Sequence, residues 1–249
     1  HTLAPMTALA ILGLSIALLA AYAIHASNAQ FPLLRLGLFR IRTFRISVLG
    51  GFITRMGFGG LPFLLPLLYQ VGMGLPAWKS GLLMMPSAIA AMGMKLFAQR
   101  LLKRFGYRQI LIMNTVFIGL TIASFSLVDS GTPLAAIAAL GFMQGFFASM
   151  QFSSMNSLAY ADIDAKDSSM ASTMSSSFQQ LSMSFGLAAG SLVAGWYLGN
   201  VVQTDRALVT NALHHAFLTL GLITAASSLL FWRLKPNDGD SISRGIVAE

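Results

Sequence analysis

The stretch Ile110-Leu111-Ile112-Met113-Asn114-Thr115-Val116-Phe117-Ile118-Gly119-Leu120-Thr121-Ile122-Ala123-Ser124-Phe125-Ser126-Leu127-Val128 is nineteen residues long and carries no charge, with Arg108 before it and Asp129 just after. At helical rise it reaches about 28 Å, close to the hydrocarbon thickness of a bilayer. Working outward, six further stretches have the same character: roughly 6–25, 46–71, 80–98, 133–158, 171–199 and 213–232. Short polar breaks separate them, among them Gly74-Leu75-Pro76, Asp129-Ser130-Gly131 and Asp162 to Asp167. Period-2 alternation is absent, which argues against a barrel. The fold class read here is all-α: a polytopic membrane helix bundle of about seven transmembrane helices.

Composition agrees. Charged residues are 10% of the 249 and apolar residues 55%, where a soluble domain carries roughly 25% charge. The net charge of +8 invites a nucleic-acid reading, but the positions of the basic residues exclude it. Thirteen of them (Arg35, Arg40, Arg42, Arg45, Lys95, Arg100, Lys103, Arg104, Arg108, Lys166, Arg233, Lys235, Arg244) fall in one alternate set of breaks, against Lys79 and Arg206 in the other. Basic residues are retained on the cytoplasmic side, so the rich set reads as cytoplasmic, with Glu249 inside and His1 outside. His1 is not an initiator Met and follows no basic leader, so a piece of a longer chain is expected. Without cysteine there is neither a disulfide nor a thiolate metal site.

Enzymatic chemistry finds no support. No nucleophile–base set, carboxylate pair or metal cluster converges at plausible spacing, and all eight acids lie in breaks or in the tail. No cofactor or metal is expected. His214-His215 reads as polar capping at a span end, and Asp162, Asp164 and Asp167 as a solvated turn that caps the next helix. Asp238 onward reads as a mobile tail.

Deep polar residues say more, because an unpaired polar group in hydrocarbon is costly. Gln144 lies eleven residues beyond Pro133, about 16 Å at helical rise. Gln179 and Gln180 are comparably deep in a span that also holds Ser172, Thr173, Ser175, Ser176, Ser177, Ser182 and Ser184. That face either lines a watery cavity or bonds to neighbouring helices, and both readings bury it. Arg55 lies ten residues beyond Arg45, about 15 Å in and near the midplane. Carbonyls, amides such as Gln144, cavity water or an acid on another segment are its candidate partners. Gly141-x-x-x-Gly145, Gly186-x-x-x-Gly190 and Gly195-x-x-x-Gly199 let backbones approach. Gly57, Gly59 and Gly60 with Pro62 and Pro66 mark the second span for a kink. The many Met residues suit promiscuous apolar ligands or ordinary packing.

Several segments resemble a known family. Leu36-Gly37-Leu38-Phe39-Arg40-Ile41-Arg42-Thr43-Phe44 is similar to the L-x-L-F-R-x-R-x-F segment before the ninth span of fourteen-span drug:proton antiporters of the major facilitator superfamily. Gly81-Leu82-Leu83-Met84-Met85-Pro86 resembles that family's G-L-x-x-x-P entry to the next span, and Lys103-Arg104-Phe105-Gly106-Tyr107-Arg108 its D-R-x-G-x-R gating loop. Ser154-Met155-Asn156-Ser157-Leu158 with Asp162, and Gln180 to Gly186, resemble its late spans. Lys103 stands where the signature has Asp, which puts the loop's charge relay in doubt.

The resemblance implies a linker span within 1–30, a six-helix C-terminal bundle over 31–236 and a cytoplasmic tail over 237–249. It implies part of a multidrug efflux transporter of the bacterial cytoplasmic (inner) membrane, working by drug:proton antiport and incomplete without an N-terminal half. Arg55, Gln144, Gln179, Gln180 and Ser176 are the cavity candidates, and Arg104, Gly106 and Arg108 the gating loop. Partners would be membrane lipids, the N-terminal half, amphipathic small molecules and protons. A non-transporting scaffold or assembly subunit is the alternative. The orientation is directly testable on this cysteine-free chain. Arg104→Cys should react with an impermeant maleimide only after cells are opened, and reaction in intact cells reverses the topology.

Overall fold

The computed structural model describes residues 36–199 and 205–239, with isolated positions 17, 21 and 242. The expected linker span over 6–25 falls outside them. Among the described residues there are helices and turns and no strands. Five helical segments of the described residues are long and apolar enough to cross a membrane: Arg42–Gly72, Ala77–Leu127, Leu134–Ala159, Ala165–Leu198 and Arg206–Arg233. They contain α1 (Arg42–Phe58), α2 (Leu61–Leu67), α3 (Ala77–Ser124), α4 (Leu134–Ala159), α5 (Ser168–Leu198) and α6 (Arg206–Ala226).

The 48 residues of α3 would make a rod of about 72 Å, more than twice the hydrocarbon thickness. The rod breaks at Gly106, whose φ of 74° and ψ of 163° lie in a region open to glycine. The result is two arms, 77–105 and 107–124, matching the two apolar stretches read as separate spans. The second span is interrupted as expected. α1 ends at Phe58, Gly59 and Gly60 follow, and α2 restarts with Pro62 in its first turn, where the missing N–H costs nothing. Pro66 sits inside α2, and a π-helical turn over Leu68–Gly72 finishes the crossing.

Apolar faces meet in three clusters. Leu64, Tyr69, Ile122, Phe125, Leu213 and Phe217 pack near one end. Ile46, Leu102, Tyr107, Leu158, Phe231 and Leu234 pack near the other, beside Phe44, Ala159 and Ala171. The breaks richest in basic residues thus share one end. The poor set shares the other, where Gly72, Asp129, Arg206 and His214 line one hollow.

The basic end is tied by acids. Arg42 and Arg45 open α1, where the helix dipole is unfavourable to cations. The carboxylate of Asp238 accepts two bonds from the Arg42 guanidinium, from Nε at 3.1 Å and from Nη2. The Thr43 hydroxyl donates to Asp162 at 2.8 Å. These placements revise two expectations. Asp238 is only 8% exposed and clasped, not part of a mobile tail. The acidic turn does not cap α5, since Asp167 at its N-cap makes no side-chain capping bond. Asp205 does cap α6, accepting from Ala207 N–H at 3.0 Å and Leu208 N–H at 3.3 Å.

Glycines set the closest approach. A Cβ on Gly190 would lie 2.6 Å from the Gly60 Cα, and one on Gly186 would lie 2.9 Å from the Gly59 Cα. The break after α1 therefore seats directly on α5. Gly195 instead has nothing within 4 Å of an added Cβ, and Gly199 ends the helix at φ 38°, so among the described residues the third small-residue motif meets no neighbour. Gly190→Ala should lower the thermal midpoint of the detergent-solubilised protein, as overpacking costs about 1–3 kcal/mol, whereas Gly195→Ala should leave it unchanged or raised. Equal behaviour of the two contradicts the contact.

Candidate functional site

Arg55 is 5% exposed and sits on the last turn of α1, just before the glycine break. Its side chain folds back over its own helix, with Nη1 only 2.7 Å from where a Cβ on Gly51 would stand. The guanidinium lies 5.2 Å from the centre of the Phe152 ring, a cation–π contact that gains strength where water is excluded. A small enclosed cavity beside it is walled by Ser47, Asn156, Ser175 and Gln179, from α1, α4 and α5. Among the described residues no carboxylate pairs with Arg55.

Arg55 and Gln179 are therefore brought together. Gln144 is not with them. It is buried two to three turns away along α4, where its side-chain carbonyl accepts from the Thr121 hydroxyl of α3. There it borders an apolar cavity of about 200 Å³ that Phe58, Pro62, Tyr69, Met84 and Met183 also line. Gln180 and Ser176 are exposed, with Ser172, Thr173, Ser177 and Ser184. This corrects the expectation that the polar face of this span is buried: no helix among the described residues covers that stripe. Its hydroxyls are not unsatisfied, because Ser176 donates to Ser172 O at 2.9 Å and Ser184 to Gln180 O at 3.1 Å. Such i−4 bonding lets a hydroxyl sit on a membrane helix without a partner helix.

The gating-loop candidates separate in the same way. Gly106 makes the turn between the arms of α3. Arg104 is exposed and stacks over Phe105 at 5.5 Å. Arg108 is half-buried, and its Nε is buried without a hydrogen-bond partner. The histidine pair also splits, His214 bonding the Val128 carbonyl at 2.8 Å while the His215 ring stacks on Tyr197 at 5.4 Å. Outside the spans, the Asp129 carboxyl is held below the usual carboxylate range, first by the Thr132 hydroxyl and then by the Gly131 N–H.

One buried network escaped the sequence reading. The Asn114 amide donates to Gln151 Oε1 at 3.0 Å and to Phe147 O at 2.6 Å, and Gln151 Nε2 donates to the Thr115 hydroxyl at 2.7 Å. A signal was available: Gln151 lies seven residues after Gln144, two turns along the same face of α4. Both glutamines turn toward the second arm of α3, and each finds a partner there. Gln151→Leu should lower stability by about 1–2 kcal/mol by stranding Asn114 and Thr115. A thermal midpoint in detergent reads this, and no change means the network is idle.

A comparison of sequences gives the class. The profile described as Major Facilitator Superfamily matches residues 2–187. The chain belongs to the major facilitator superfamily. Its relatives include "Putative multidrug resistance protein MdtD" of Serratia proteamaculans (strain 568), 35% identical over 92% of this chain and 49% of that protein. The protein of that name from Escherichia coli (strain K12) is 33% identical over 95% of this chain and 50% of its own length. The chain spans about half the length of the curated relatives it matches.

Proposed function

We propose that this chain is the C-terminal half of a secondary multidrug exporter, working by drug:proton antiport in the bacterial inner membrane with its C-terminus in the cytoplasm. The observation that carries the reading is the uncovered stripe on α5, running from Ser172 through Ser176 and Gln180 to Ser184. The hydroxyls of the stripe are satisfied on their own helix, but among the described residues the exposed amide of Gln180 has no partner, and an unpaired amide in lipid is costly, so this face turns to water or protein. The missing occupant is a second bundle, with the substrate path between the two, as alternating access requires. The 14 methionines of the chain, with exposed Met183 beside the stripe, suit apolar ligands of varied shape. Names of the relatives agree with this reading, and none favours a scaffold role.

The roles differ within the site. Gln180 and Ser176 face the path and read the substrate. Arg55, behind them with Gln179, supplies the positive charge of the site and faces an acid of the other half that takes up and releases the proton. The test is export measured in whole cells by the full-length protein. Gln180→Ala should change which compounds are exported at near-normal expression, and Arg55→Ala should abolish export while the protein still inserts. Wild-type export of every substrate by both variants overturns the site.

A further inference from the structure

Two hollows adjoin at the bend of α3. One, of about 370 Å³, is lined by Arg108, Phe105, Gln109, Met113 and Pro236. The other, of about 280 Å³, shares Phe105, Gln109 and Met113 and continues past Phe117 to Phe147 and Met150 of α4. Together they form a groove with a basic mouth and an apolar floor. Neither hollow is lined by any carboxylate.

We propose that this groove binds one anionic phospholipid, with its phosphate at Arg108 and Arg104 and an acyl chain along Met113 and Phe117. Arg108 lines this mouth half-buried, its Nε closed off without a partner, and a guanidinium left short of acceptors is costly. A phosphate oxygen is the acceptor that guanidinium geometry suits. Arg104 lines neither hollow, but its guanidinium stacks on Phe105, which lines both, and so brings a second positive charge near the mouth. Gln109, exposed and next along the groove, can donate to an ester carbonyl.

The length fits. From Arg108 to Phe117 is nine residues of continuous helix, about 13 Å, against about 15 Å for half of the hydrocarbon core. The groove thus runs from the interface almost to the depth where one leaflet ends. Its deep end is closed by Phe117 and Phe147, whose rings stack at 5.0 Å. Phe105, Met113 and Phe117 are all more than 40% exposed, as expected of side chains that meet an acyl chain instead of protein. Basic pockets between spans at the cytoplasmic surface are where acidic headgroups bind. A free phosphate would satisfy the mouth and leave the floor empty. The site stands on the membrane-spanning fold alone and does not depend on the transport reading.

Native mass spectrometry of the purified chain, released from detergent with equal phosphatidylglycerol and phosphatidylcholine, tests it. One phosphatidylglycerol should be retained in clear preference. That preference should fall roughly fivefold for each of Arg104→Gln and Arg108→Gln, the ordinary yield of one basic side chain at an anionic membrane surface. Met113→Trp fills the groove without touching the charges, and should lose the bound lipid with helicity by circular dichroism unchanged. Arg104 and Met113 are surface side chains, so these two variants decide the matter if Arg108→Gln fails to fold. Equal retention of both lipids by the unaltered chain, full retention in Arg104→Gln and Met113→Trp, or displacement by glycerol phosphate as readily as by phosphatidylglycerol overturns the proposal.

Discussion

Backbone meets backbone where Gly59 and Gly60 lie on Gly186 and Gly190, with no side chain between. In hydrocarbon there is little hydrophobic drive to bring helices together, so close packing must supply it. This contact fixes much else. It holds the interruption between α1 and α2 against a continuous helix, so the interruption is supported from outside. It also sets Arg55, four residues earlier, against the polar wall of Gln179 and Ser175. Moving α5 away by the width of a methyl group would open the Arg55 cavity and shift the exposed stripe in the same step.

Much of this architecture was legible in the amino-acid order, because the bilayer allows few solutions. Apolar lengths gave the spans, and the glycine and proline cluster from Gly57 to Pro66 gave the interruption. The alternation of basic and basic-poor breaks sorted the loops into two groups, and each group gathers at one end of the bundle. Periodicity also pointed to the Gly186–Gly190 contact. Partnership was less legible. Depth suggests Gln144 as a companion of Arg55, but two deep residues still meet only where their turns of helix come level and face each other. Thr121 claims Gln144, and the two are 23 residues apart in sequence. In sequence Asp238 reads as tail, because it follows the last span and has polar neighbours. Its partner is 196 residues away, and nothing local announces it.

Polar groups in this bundle are handled in two ways. Between α3 and α4, Asn114 bonds Gln151, Gln151 bonds Thr115 and Thr121 bonds Gln144, which fixes the register of the two helices. On α5 the hydroxyls are turned back onto their own helix, which leaves an outward surface that is polar and already satisfied. The first arrangement locks a pair of spans. The second keeps a face ready for a changing neighbour, since no hydrogen bond has to break when that neighbour slides or departs.

The clasp between Arg42 and Asp238 has a consequence for the order of assembly. Its two halves open the first described span and follow the last, so the pair cannot close until the final helix is inserted and turned the right way. Until then the start of α1 presents Arg42 and Arg45 to a dipole that disfavours them. Closing the pair corrects that end of the helix only when every intervening span is in place. The bundle thus carries its own sign of completion, a latch that a chain stopped one helix short is unable to fasten.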